Sequence, residues 1–185
     1  MKIYEPASQE RAQLAHPIDS ADFETINALV NGERRASSWK PLKFKLIDRN
    51  QGLSLHAVDV PWLGSHALIF KPAAILPLRR TLEAHGELLP LTCERSKLWV
   101  FNPTHVLDAL DPLSSQVTRF PNGRVMWVTR YGFVPEQIRG VAIFKISDLR
   151  VSPTFVSDEI VDLFREHHLT GLDFTQVWDI AQSAA

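Results

Sequence analysis

The run VTRFPNGRVMWVTR, Val117 to Arg130, decides the fold class. β-branched and aromatic residues crowd both flanks, and Asn122-Gly123 between them suits a turn with positive backbone angles, so the run predicts a β-hairpin. Upstream, ELLPLTCERSKLWVFN (Glu87 to Asn102) predicts two more strands around a turn at Cys93 to Ser96, with Pro90 marking the first as an edge strand. PLKFKLID alternates Leu42, Phe44 and Leu46 with Lys43 and Lys45, the period of a strand with one wet face. Ala67 to Phe70 predicts a strand buried on both faces, and Lys2 to Tyr4 a short strand. Downstream, VAIFKI (Val141 to Ile146) adds a strand, and LDFTQVW (Leu172 to Trp178) a final strand or helix start.

Three helical patterns interrupt the strands. Ala21 to Val30 places Phe23, Ile26 and Val30 at helical spacing and ends at Asn31-Gly32. A second helix is expected to begin near Pro77, carry Leu78 and Leu82 inward and close at Gly86. A third begins at the N-cap Ser157 with two acids in its first turn, turns Ile160, Val161 and Phe164 inward and stops at Gly171. Strands outnumber helices and short turns join them. The expectation is therefore α+β, a single domain over residues 1–185 with a mostly antiparallel sheet and a few short helices. Residues 1–38 are its less patterned N-terminal segment.

The totals exclude several function classes. The 185 residues are 45% hydrophobic and 22% charged, ordinary for a globular chain with one good core. Twenty Lys and Arg against twenty-one Asp and Glu leave a net charge of -1, so no overall field draws the molecule to nucleic acid or an anionic membrane. The lone Cys93 excludes an internal disulfide and a multi-cysteine zinc site, and fits a reducing compartment. The first residues carry Glu5, Glu10 and Arg11 where a signal peptide needs an apolar run. No later stretch approaches ~18 consecutive apolar residues. A cytoplasmic protein without a membrane partner is expected.

No catalytic spelling is complete. DVPWLGSHALIF sets Asp59, Ser65 and His66 beside a glycine turn, but Gly64-Ser65-His66-Ala67-Leu68 lacks the second glycine of a nucleophile elbow. A small hydrolase using Asp59, Ser65 and His66 remains one alternative, with convergence of those side chains in one pocket as its test. His85, Glu87 and Cys93 begin a zinc-deaminase pattern that lacks its second cysteine, so His85 reads as a charged residue favoured by a helix C-terminus. None of the seven histidines has zinc-ligand spacing, and neither a P-loop nor G-x-G-x-x-G occurs. No enzyme activity, metal or cofactor is expected.

Charge is more informative. Between Arg119 and Ser147, Arg119, Arg124, Arg130, Arg139 and Lys145 stand against Glu136 alone. This basic region, with Trp127 and Tyr131 as stacking groups, could serve a nucleic-acid module, which the overall charge disfavours. From Asp148 onward, seven carboxylates face only Arg150 and Arg165. Asp158, Asp162 and Glu166 recur every four residues on one helix face, where neighbours repel by ~0.2–0.5 kcal/mol per pair. A rigid carboxylate row of this kind, with Glu159 at its edge, suits a basic protein partner, to which it can stand in for a phosphate backbone.

Five blocks in order, PWLGSHALIF, HGELLPL, LWVFNPTHVLDALD, IRGVAIFKI and GLDFTQVW, resemble a bacterial family first catalogued as a domain of unknown function and later assigned to the immunity proteins of polymorphic toxin systems. The resemblance runs from about Asp59 to Trp178. It implies a small cytoplasmic binder that neutralises a cognate toxin, encoded by a neighbouring gene, by direct contact. It implies no catalytic residue, no cofactor and no direct contact with nucleic acid. A nuclease is the leading toxin class, and Asp158, Glu159, Asp162 and Glu166 are the expected toxin-binding residues.

Overall fold

The computed structural model describes residues 1–149 and 151–182. The chain opens with β1 (Lys2–Ser8), β2 (Leu14–Pro17) and α1 (Asp22–Leu29), then β3 (Phe44–Ile47), β4 (Arg49–Asn50), β5 (Leu53–Ser54) and β6 (Ile69–Phe70). It continues through α2 (Pro72–His85), β7 (Gly86–Leu91), β8 (Leu98–Pro103), β9 (Val106–Leu107), β10 (Gln116–Arg119) and β11 (Val125–Arg130). A short α3 (Pro135–Ile138), β12 (Ile143–Ile146), β13 (Phe155–Ser157), α4 (Asp158–Glu166) and β14 (Leu172–Asp179) complete the fold before a 3-10 turn at Ile180–Gln182.

The α+β class is as expected, but among the described residues the strands divide among several small sheets. The central one has five strands in the order β14-β1-β13-β12-β9; β6-β8-β7 forms a second, and β2-β3, β4-β5 and β10-β11 are pairs. Pairing between these strands is antiparallel except between β12 and β9, which run parallel and are joined by a long crossover through β10, β11 and α3. β1 anchors the central sheet, running the length of β14 from Lys2 opposite Asp179 to Ser8 opposite Leu172. The terminal segments of the chain thus pair with each other, a contact that no local pattern encodes.

Alternation along the central strands separates two cores. Tyr4, Ile143 and Val156 face α2 and α4, where Ile160, Val161 and Phe164 pack with Leu78 and Leu82. Ile3, Phe144 and Phe155 face the other way, into a cluster with Phe133, Ile138 and Trp178. A third cluster joins Ile26 and Val30 of the α1 region to Phe44, Ile69, Leu89 and Val100. The wet-face alternation of Phe44 and Leu46 and the edge position of β7 match expectation.

Four local expectations need correction. Helix α2 starts at Pro72, not near Pro77: Pro72 occupies the first turn, and burial of Ala74 and Ile75 extends the apolar stripe of Leu78 and Leu82 back past an internal Pro77. Helix α4 ends at Glu166 rather than Gly171, because His168 takes a positive φ of 51° and the chain turns away. In the β10-β11 turn only Gly123 has positive φ; the N–H of Gly123 bonds the Phe120 carbonyl, and Phe120 pairs with Arg124 beyond it. The glycine therefore closes a longer loop than a two-residue Asn-Gly turn. Phe23, which the helical spacing groups with the buried Ile26 and Val30, is instead partly exposed and leans edge-on against His16, with ring centroids 5.3 Å apart.

Candidate functional site

Asp59, Ser65 and His66 do not converge. The Asp59 carboxylate accepts hydrogen bonds from the Thr170 hydroxyl at 2.7 Å and the Thr170 N–H at 3.0 Å, so it holds the loop that follows α4. His85 and Glu87 are equally committed. The Ala142 N–H donates to His85 Nε2 at 2.9 Å while Nδ1 donates to the Thr81 carbonyl, so Nε2 carries no proton in this geometry. His85, in the last turn of α2, thus joins that helix to the residue before β12. Glu87 accepts the N–H groups of Arg35 and Ala36, and the fully buried Asn102 beside it bonds the Gly32 N–H and the Glu33 carbonyl. Together they fasten the 31–36 loop to β7 and β8. Cys93 is half-buried, and no group of His, Cys, Asp and Glu among the described residues is arranged to hold a metal.

Ser65 and His66 do reach a cavity, with partners remote in sequence. It measures about 340 Å³ and lies between the start of β1, the Gly64–His66 turn, the β10-β11 hairpin and the loop before β13. Glu5, Ser65, His66, Trp127 and Tyr131 supply its polar and aromatic wall, and Met126 and Val151 are among its apolar residues. Trp127, contributed by the hairpin, lines the cavity and is 65% exposed. Tyr131 is seated from behind, stacked on Phe133 at 5.8 Å and edge-on to Phe155 at 4.9 Å.

The electrostatics of this cavity are unusual for a surface recess. Burial raises the Glu5 carboxyl above the ordinary carboxylate range, and a hydrogen bond from the Ser65 hydroxyl offsets only part of that. Among the described residues no ion pair reaches Glu5. Burial, reinforced by the charge of Glu5, pushes the Tyr131 hydroxyl up to about 12. Burial, with the nearby Lys145 charge, lowers His66 to about 4, which keeps its ring neutral. Its Nε2 is buried without a hydrogen-bond partner, at a cost of roughly 1–3 kcal/mol.

Lys145, counted from the sequence among the basic residues of a surface region, points inward. It is 3% exposed, and its Nζ donates to the carbonyls of His66 at 2.7 Å and Ser152 at 3.0 Å. These bonds tie the Gly64–His66 turn and the loop before β13 to β12. Burial brings its ammonium down to about 7 from an ordinary 10.5. Between those values the unfolded chain holds a proton that the folded chain has released, so stability rises with pH across that window. The difference in urea midpoint between the wild type and Lys145→Met is expected to grow in the wild type's favour from about pH 7 to 10.5. A flat difference would mean that the ammonium keeps its proton in the folded protein.

The remaining basic residues of that region are exposed. Among the described residues Arg119 and Arg130 bond backbone carbonyls, those of Gly123 and Ser114, and Arg124 is open to solvent. The acidic row of α4 lies on the opposite face of the central sheet from the cavity, since α4 packs against Tyr4 and Val156 while Tyr131 packs against Phe155. Its carboxylates are partly occupied: Asp158 accepts the Lys2 N–H at 3.3 Å, Glu159 the Thr81 hydroxyl at 3.4 Å, and Asp162 pairs with Arg165 at 3.5 Å. Glu166 is exposed. Sequence reasoning did not place Glu5 in any site, and placed Trp127 and Tyr131 in a nucleic-acid reading rather than beside Ser65 and His66.

Residues 92–179 match the model of a family described as immunity protein family (Imm11). The last three of the five sequence blocks fall inside that segment, and the first two lie before it. No curated protein matches the chain. Among the described residues, no helix is long and apolar enough to cross a membrane.

Proposed function

We propose, from the immunity-family match over residues 92–179, that this chain protects its cell by binding and neutralising a cognate toxin through direct protein contact, without catalysis and within the cytoplasm. The match is the observation that carries the reading. It spans β8 through β14, a segment that contributes every strand of the central sheet except β1, the exposed hairpin and α4. A toxin with a basic nucleic-acid cleft, such as a nuclease, is the partner class to which an acidic helix offers complementary charge. The exposed pair Asp162 and Glu166, with Asp158 and Glu159 beside them, is the proposed contact. The Asp162–Arg165 ion pair does little to neutralise that face, because both side chains are more than 70% exposed and such pairs contribute about 0–1 kcal/mol.

The test is co-expression with the toxin domain encoded next to the gene. A stoichiometric complex and rescue of growth are expected. Asp162→Lys combined with Glu166→Lys should slow association and flatten its salt dependence while leaving the fold intact, since exposed substitutions usually cost within ~0.5 kcal/mol each. Unchanged association kinetics in the folded double variant would remove α4 from the interface. Killing that is unaffected by co-expression, with no association in a pull-down, would reject the toxin-binding reading itself.

A further inference from the structure

We infer that the cavity between β1 and the β10-β11 hairpin is a binding site for a guanidinium or alkylammonium group, held by the Glu5 carboxylate and by the rings of Trp127 and Tyr131. The chemistry of the wall selects the ligand class. Glu5 is a half-buried carboxylate with no cation paired to it among the described residues, and its raised proton affinity has burial as its leading cause. A cation entering the recess supplies the missing counter-charge. Trp127 and Tyr131 present aromatic surface, which attracts organic cations through the negative faces of the rings. The Ser65 hydroxyl and the neutral His66 ring complete a lining that can accept hydrogen bonds, and a guanidinium is a planar group with donors only.

The nearby cations among the described residues do not fill this role. Lys145 is spent on two carbonyls and is not among the groups that shift Glu5. Arg130 directs its Nε to the Ser114 carbonyl. Trp127 is consistent with a residue waiting for a guest: a large ring left 65% exposed on a hairpin, with Met126 and Phe120 also partly exposed near it in sequence. An exposed aromatic bordering a recess is the usual form of an anchor pocket.

The same chemistry can come from a free organic cation or from an arginine side chain of a protein partner, and the experiment separates the two. The first arm uses the isolated protein and butylguanidinium, with butylurea as the neutral isostere, read by tryptophan fluorescence and by NMR shifts. Saturable binding of butylguanidinium but not butylurea is expected, with the shifts centred on Trp127 and Tyr131. Glu5→Gln should weaken binding by about tenfold or more, the scale of one charge-assisted hydrogen bond. Trp127→Leu, at an exposed site that tolerates change, should weaken it independently. No saturable binding to the wild type, or equal binding of guanidinium and urea, or an unaffected Glu5→Gln, overturns the inference.

The second arm rests on the toxin-binding reading and measures toxin association. Loss of toxin affinity in both variants, with competition by butylguanidinium, assigns the cavity to a partner's arginine. Undiminished toxin affinity in variants that have lost the probe assigns it to a free ligand. Because the first arm needs no toxin, failure of the immunity reading leaves the cation site standing, and failure of the cation site leaves toxin binding untouched.

Discussion

Phe133→Ala is expected to lower stability by about 3–5 kcal/mol, the usual cost of truncating a fully packed phenylalanine. Phe133 is 2% exposed and is the hub of the aromatic core beneath the hairpin. Its ring stacks on Tyr131 at 5.8 Å and meets Phe144, Phe155 and Trp178 edge-on at 5.6, 5.4 and 5.9 Å. Edge-to-face pairs add about 0.5–1.5 kcal/mol each beyond area burial, so the loss should fall in the upper half of that range. At roughly 2–4 °C per kcal/mol for a chain of this size, the melting temperature should fall by about 8–20 °C. Phe133→Leu keeps most of the volume and should lose less than half as much. Tyr131 then loses the ring on which it is stacked, so any ligand bound in the Glu5 cavity should weaken in Phe133→Ala even under conditions where the variant remains folded. A loss below about 1 kcal/mol would mean that the core collapses around the gap and that Phe133 is not its hub.

How much of this was legible in the sequence depended on whether the cause was local. The hairpin over Val117–Arg130, the alternation of Phe44 and Leu46, and the paired strands around Cys93 to Ser96 all emerged where expected, because each is decided by side-chain period and turn residues within about fifteen positions. The inward residues of α4, Ile160, Val161 and Phe164, were legible for the same reason. Helix limits were not. Pro77 reads as a helix start, yet Pro72 is better placed for the first turn once Ile75 has a core to enter, and tertiary packing overrides the local cost of the internal proline.

The cavity was illegible for a different reason. Glu5 sits in an N-terminal segment that looks polar, Ser65 and His66 in a turn, and Trp127 and Tyr131 in and just after the second strand of a hairpin; tertiary contacts bring them together, Glu5 through the pairing of β1 with β13 and β14. The turn is held by the Lys145 Nζ bond to the His66 carbonyl and the Thr154 N–H bond to the Ser65 carbonyl, and no spacing rule reaches across such distances. One signal was present and undervalued. In VAIFKI, Lys145 interrupts a run that is otherwise wholly apolar, and in a strand covered on both faces every position is interior, the lysine included. A lone lysine in such a run calls for two carbonyls to receive it, and those are the carbonyls of His66 and Ser152 at the edge of the site.

Gly171→Ala is expected to be the most damaging single-methyl change in the chain, costing about 2–5 kcal/mol from two separable causes. Gly171 has φ of 111°, which an L-residue adopts only with strain, and a Cβ built there would lie 2.2 Å from the Val60 carbonyl oxygen and 2.9 Å from its carbon. That neighbour is backbone and cannot swing aside. It is also pinned: the Val60 N–H bonds the Thr170 carbonyl at 3.1 Å, the Gly171 N–H bonds Gln9 Oε1 at 2.7 Å, and the Gln9 N–H bonds the Gly171 carbonyl at 3.2 Å. The two loops and the end of β1 therefore meet at the one residue that has no side chain, which fixes the turn from α4 into β14. Gly123 separates the two causes, since it has a similar positive φ of 84° but open space where its Cβ would be. Gly123→Ala should cost only about 1 kcal/mol, the backbone strain alone, in the same urea titration. Equal losses at the two glycines would show that strain accounts for both and that the Val60 loop yields. A much larger loss at Gly171 would locate the constraint in that contact, and with it the placement of α4 and its acidic face relative to the rest of the fold.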